Sequence, residues 1–314
     1  MKVWIKSLGV FVLLAVVALL TLPFWAPDCT ISKDECKRRI AVPSSHYFHW
    51  RDAEIHYADE GQGIPVLMIH GLGGNFHNFD SLNEVLKSHY RCIRIDVPGF
   101  GLSDFPTLKN GERYLAAYSE FYQLLFDSLH IDSAYVIGNS MGGAMAWTLA
   151  AKQPQRVKKL VLLAAAGYDI EAVKKNLFVL KFGAMKRLAE KGMPMFMSKR
   201  NAELVFFDDS KIRDRFVAIN NASSNKKGNM SFLFKLVEQA DFPDSAWIKT
   251  IQCPTFIVWG KEDKVVPADH ANRFKRDIAN SQVLMFEGCG HVPMIERPGE
   301  TAVAIARFLG EEPI

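Results

Sequence analysis

The chain has 314 residues, 49% of them apolar, enough to bury one large α/β core together with an inserted segment. A formal net charge of +4, with no basic tail and no basic patch interleaved with aromatics, excludes a nucleic-acid footprint. Five cysteines are too few for a disulfide scaffold, and no Cys-x2-Cys or His-x3-His spacing suggests zinc, so neither a metal nor a cofactor is expected.

Residues 8–26 carry no charge. As a helix they would be about 28 Å long, enough to cross the hydrocarbon core of a bilayer. Phe24 and Trp25 stand at one end and Lys2 and Lys6 at the other. The competing reading is a cleaved signal peptide, but Phe24 at −3 and Pro27 directly after the cut make a poor cleavage site. Residues 1–26 are therefore expected to be a single-pass membrane anchor and 27–45 a stalk. Lys2 and Lys6 place the following domain on the periplasmic, extracytoplasmic side, whereas Lys33, Lys37, Arg38 and Arg39 argue the opposite way; the first arrangement is preferred. Cys29 and Cys36 could pair in an oxidising compartment or remain free thiols.

From residue 46 the pattern is that of a globular domain. Residues 46–50 and 54–58 alternate about a short turn and predict an antiparallel hairpin. Residues 65–69 are apolar on both faces and predict a central strand ending in His70-Gly71-Leu72-Gly73-Gly74-Asn75. A helix over 79–88 and a strand over 91–97 follow, the latter ending in Asp96-Val97-Pro98-Gly99-Phe100-Gly101-Leu102-Ser103-Asp104. After a helix over 115–129, the strand of residues 134–137 runs into Gly138-Asn139-Ser140-Met141-Gly142-Gly143 and then into a good helix former. Another strand covers 157–164. Such alternation predicts a mostly parallel sheet with helices on both faces. It stops at residue 168, and 168–246 reads as an inserted helical cap, too long for an ordinary loop. It resumes with strands over 254–259 and 281–286 and helices over 268–277 and 298–309. The core thus comprises 46–167 and 247–314.

Strand, Gly-flanked serine and helix together form the context of a nucleophile elbow, which presents a serine hydroxyl at the C-terminal edge of a sheet. A serine nucleophile needs a base, and the base needs an orienting group. His291, in the loop after the last strand, and Asp263, in the loop after the preceding one, leave the same edge as Ser140. Alone, His291 could be a loop residue and Asp263 a turn cap; the Ser, Asp, His order at one edge makes them a catalytic triad. The expected oxyanion donors are the Leu72 and Met141 amides. His70 is expected to brace the oxyanion turn, Asp96 and Asp104 to stabilise the Pro-Gly loop, and Glu262 to be solvated.

These motifs, with Gly260-x-x-Asp263-x-x-x-Pro267 and Gly290-His291-x-Pro293, resemble the α/β-hydrolase superfamily over essentially everything beyond residue 46. Within it the chain resembles membrane-associated bacterial lipases and monoacylglycerol-lipase-like esterases, which implies cleavage of lipid-derived carboxylic esters through an acyl-enzyme on Ser140. The elbow is also similar to that of carbon–carbon bond hydrolases of ring-cleavage products. Those usually carry a proline in the oxyanion turn and a tryptophan after the histidine, where this chain has Asn75 and Val292-Pro293. Dehalogenases and epoxide hydrolases use an aspartate nucleophile, so Ser140 speaks against them. A silent binding protein of this fold would typically lack a triad member.

The cap adds a second membrane expectation. Over 173–188 apolar residues recur at helical spacing, while Lys174, Lys175, Lys181, Lys186 and Arg187 occupy other faces. That basic amphipathic pattern suits an anionic lipid surface; equally, the stripe could pack on the core and line an acyl pocket.

Overall fold

A computed structural model describes residues 26–169, 183–239 and 243–310. It contains an eight-stranded sheet of order β1-β2-β4-β3-β5-β6-β7-β8. Strands β1 (Ser45–Trp50) and β2 (Ala53–Glu60) form the expected hairpin, and β2 pairs antiparallel with β4 (Arg91–Ile95). From β4 onward every pairing is parallel, through β3 (Pro65–Ile69), β5 (Ala134–Asn139), β6 (Val157–Leu163), β7 (Thr255–Gly260) and β8 (Ser281–Phe286).

Alternation along these strands feeds two cores. Leu67, Val136, Leu160, Leu162, Ile257 and Trp259 point into one, against the helices Tyr114–Ser128 (α3) and Met141–Lys152 (α4). Val66, Met68, Ile137, Val161, Leu163 and Val258 point into the other, against Asp80–Leu86 (α2) and Pro298–Leu309 (α11). Burial on both faces is why the strands read as continuous apolar runs.

Between β6 and β7 the described residues form α5 (Gly183–Glu190), α6 (Met195–Val205), α7 (Asp214–Asn225) and α8 (Asn229–Gln239). Most of the amphipathic stretch expected over 173–188 lies outside the described residues. After β7 come α9 (Asp269–Asp277) and, ahead of α11, the short helix α10 (Pro293–Glu296).

Two expectations about the amino-terminal region are corrected. The single-pass anchor over 1–26, and the extracytoplasmic placement drawn from it, find no support: among the described residues no helix is long and apolar enough to cross a membrane. Crossing requires about 20 consecutive apolar residues. Residues 1–25 lie outside the described residues, and the first described helix, α1 (Lys33–Ile40), is short and carries Lys33, Asp34, Glu35, Lys37, Arg38 and Arg39. The segment read as a stalk is also more than a linker. Ile31 forms an isolated parallel bridge with Lys226 of the cap, and Cys36 and Ile40 pack with Leu102 and Ala222. Cys29 and Cys36 are free thiols.

Candidate active site

Ser140 is the single residue between the end of β5 and the start of α4, and its backbone sits at φ 54°, ψ −119°. A non-glycine residue there carries strain of about 1–3 kcal/mol, and such strain persists only where the surroundings over-determine the backbone. Here they do. The Ser140 N–H donates to the Leu163 carbonyl at 3.0 Å, and the Ser140 carbonyl accepts from the N–H groups of Ala144 at 3.1 Å and Ala166 at 3.0 Å. The flanking glycines are required by close approach: a Cβ on Gly138 would strike the Gly142 carbonyl, and one on Gly142 would strike the carbonyls of Ile69 and His70.

Because β5, β7 and β8 run parallel, the loops after them emerge at one edge of the sheet. His291 Nδ1 donates to Asp263 Oδ2 at 2.8 Å. The other Asp263 oxygen accepts from the N–H groups of Val265 at 2.8 Å and Val266 at 2.9 Å, so the fully buried carboxylate is held on both sides. A proton fixed on Nδ1 leaves His291 Nε2 as a proton acceptor. The histidine backbone is fixed as well. Its N–H donates to the Val205 carbonyl at 2.8 Å, and its carbonyl accepts from Asn139 Nδ2 at 3.3 Å. Glu262 is not the solvated side chain expected: its Oε2 accepts the Cys289 N–H at 3.1 Å, because the β7 and β8 loops lie side by side.

The turn after β3 passes beside the nucleophile; a Cβ on Gly71 would come within 2.9 Å of Ser140 Cβ. His70 Nε2 accepts the Val97 N–H at 3.0 Å, which puts the ring proton on Nδ1, and Nδ1–H donates to the Gly71 carbonyl at 2.8 Å. Burial pushes the His70 pKa below its ordinary 6.5 despite the nearby Asp96, so the neutral ring is favoured. Gly74 N–H donates to the same carbonyl at 3.1 Å. Among the described residues the amides of Leu72 and Met141 donate to no protein group. His70 thus braces this turn, as expected.

Asp96 stabilises the neighbouring loop, accepting the N–H groups of Phe76 at 2.9 Å and Leu102 at 2.8 Å and His56 Nδ1 at 2.7 Å. Asp104 helps through its carbonyl, which accepts the Gly99 N–H at 2.9 Å, while its carboxylate meets Lys33 at 2.5 Å and Lys226 at 3.2 Å. Among the described residues no group of three or more His, Cys, Asp or Glu side chains could hold a metal ion. The role of Asn139 was not foreseen from the sequence, where it is the variable position of Gly-x-Ser-x-Gly.

A family model describing the alpha/beta hydrolase fold matches residues 64–298. Lipase 1 of Psychrobacter immobilis is 31% identical over 250 residues, covering 78% of this chain and 77% of its own. The 2-hydroxy-6-oxo-6-(2'-aminophenyl)hexa-2,4-dienoic acid hydrolase of Metapseudomonas resinovorans is 28% identical over 261 residues, covering 82% of this chain and 87% of its own. Among solved structures, a meta-cleavage product hydrolase from Pseudomonas fluorescens IP01 superimposes with a TM-score of 0.72 at 25% identity, covering 84% of this chain and 97% of that one.

Proposed function

The chain belongs to the α/β-hydrolase fold family, and from that premise we propose that it is a serine hydrolase of carboxylic esters, with lipid-derived esters as the substrate class. The observation that carries the reading is the His291–Asp263 hydrogen bond of 2.8 Å, delivered by two loops at the sheet edge where the strained Ser140 sits.

Ser140 Oγ attacks the ester carbonyl carbon while His291 Nε2 takes the hydroxyl proton. Asp263 holds the ring through Nδ1 and stabilises the imidazolium that forms. The carbonyl oxygen gains charge as its bond order falls, and the Leu72 and Met141 amides, which donate to no protein group among the described residues, are the donors proposed to receive it. Collapse expels the alcohol, which takes its proton from His291 Nε2. Water then attacks the acyl-enzyme with the same histidine as base, releasing the acid and restoring Ser140.

Lipid-derived substrates are favoured by the similarity to Lipase 1 of Psychrobacter immobilis. They also suit the apolar surface on and beside α6, where Met195, Phe196, Met197, Leu204 and Phe207 are exposed. A second reading, carbon–carbon bond hydrolysis of ring-cleavage products, is favoured by the likeness to the Metapseudomonas resinovorans and Pseudomonas fluorescens enzymes. Asn75 and Val292-Pro293 at the two distinguishing positions favour the ester reading.

The test is a serine-reactive phosphonate on the purified protein, followed by esters of increasing acyl length and, in parallel, a 2-hydroxy-6-oxo-dienoate. Labelling at Ser140 with ester turnover is expected. Turnover of the dienoate alone moves the chain to the second reading, and absence of labelling removes the serine-hydrolase reading.

A further inference from the structure

The buried carboxylate of Glu296 takes no part in the chemistry outlined above, yet it joins two segments that meet at His291. It is only 3% exposed. Its Oε1 accepts the N–H groups of Asp208 at 2.8 Å and Phe207 at 3.1 Å, which follow the last turn of α6 in the cap. Its Oε2 accepts the N–H of Gly290 at 2.7 Å, the residue before His291, and lies 3.2 Å from the Phe207 N–H. Burying a carboxylate is costly unless charge-assisted hydrogen bonds offset the lost solvation, and these backbone donors do so.

The same two segments touch elsewhere. His291 N–H donates to the Val205 carbonyl at 2.8 Å. A Cβ on Gly290 would lie 2.6 Å from the Val205 oxygen and 2.8 Å from the Phe207 nitrogen, so the backbones are in direct contact. On its other side the histidine loop rests on the core, through Glu262 and Asn139. The imidazole is therefore set by the cap from one side and by the core from the other.

We propose that Glu296 is a positioning residue: by clamping Gly290 to the cap segment 207–208, it fixes where His291 presents Nε2 to Ser140. The inference rests on the serine-hydrolase reading. Glutamate suits the position because both oxygens accept; the amide of glutamine would turn an NH2 group toward backbone donors.

The experiment compares wild type, Glu296→Gln and Thr301→Val on a short, soluble ester, at a temperature where each retains the wild-type near-UV circular dichroism. Thr301 Oγ1 donates to the Pro293 carbonyl at 2.9 Å, so its loss loosens the same corner without touching the histidine loop. Glu296→Gln is expected to lower kcat about 10- to 100-fold, the loss that a displacement on the order of 1 Å brings. KM should stay within about twofold, since the acyl and alcohol contacts are left in place. Thr301→Val should lower Tm and leave kcat unchanged. A folded Glu296→Gln with wild-type kcat and only a lower Tm overturns the proposal. Should that variant fail to fold, Glu296→Asp, which keeps the charge but draws the oxygens back from the two backbones, decides on the same criterion. If wild type turns over no ester at all, it is the ester-hydrolase reading that falls.

Discussion

His70 donates its Nδ1–H to the carbonyl of Gly71 at 2.8 Å. That bond fixes the Gly71 carbonyl, and because the two groups share one planar peptide it fixes the direction of the Leu72 amide, the proposed oxyanion donor. Replacing His70 with Ala removes the brace and leaves the buried Val97 N–H without its acceptor. The unpaired donor costs about 1–3 kcal/mol. A misplaced oxyanion donor should lower kcat on a soluble ester by about 100-fold. Chemical denaturation and steady-state kinetics on the one variant check both effects, and wild-type kcat would detach His70 from the turn.

The same residue makes stability depend on pH. Burial lowers the His70 pKa in the folded protein from its ordinary 6.5, so the unfolded chain binds the proton more readily. The stabilisation is fully present above about pH 6.5 and is lost as pH falls below that value toward the folded one. Each such histidine contributes a slope of at most about 1.4 kcal/mol per pH unit. His270, whose pKa is lowered by burial and by Arg273, adds to it in the same direction. Urea unfolding at pH 7.5 and pH 5.5 should show wild type losing stability on acidification and His70→Ala losing less; equal losses would contradict the assignment.

Gly142→Ala should fail to fold or lose roughly 3 kcal/mol or more, because its Cβ would meet the carbonyls of Ile69 and His70, neither of which can yield without breaking the sheet. Thermal unfolding compared with that of Gly299→Ala, where a Cβ meets nothing within 4 Å, provides the control.

The segment before the hairpin holds the cap to the core. Lys33 pairs with Asp104 at 2.5 Å and with Glu54 at 2.9 Å on the core side, and the Ile31 N–H donates to the Asn225 carbonyl at 2.8 Å on the cap side. A chain starting at Ser44 loses the burial of Cys36 and Ile40, about 3 kcal/mol or more, relative to one starting at Ala26. Its Tm should fall accordingly; matching Tm values would make the segment a mere tether.

Central strands were legible because a sheet buried on both faces demands apolar runs, and 65–69 reads as it folds. The shared sheet edge of Ser140, Asp263 and His291 was legible because each lies in the turn or loop that follows a strand. Helix α1 was not, since only Cys36 and Ile40 among its residues are buried and the rest reads as a polar stalk. Its signal was Ser32-x-x-Glu35, where Ser32 accepts the Glu35 N–H at 3.1 Å. Hydropathy alone suggested a span over 8–26 that no described helix provides. The contacts of Glu262 and Glu296 escaped the sequence for a shared reason: each carboxylate accepts backbone N–H groups, and side-chain patterning carries no trace of that.

The central claim is that Ser140 is the nucleophile that His291 and Asp263 activate, and the most direct measurement is ester hydrolysis by Ser140→Ala beside wild type. The substitution removes one oxygen and no hydrogen bond on which the fold depends, so thermal unfolding should match wild type. Turnover should fall by roughly four orders of magnitude or more, and phosphonate labelling should vanish. A folded Ser140→Ala protein that still hydrolyses ester within about tenfold of wild type would contradict the account.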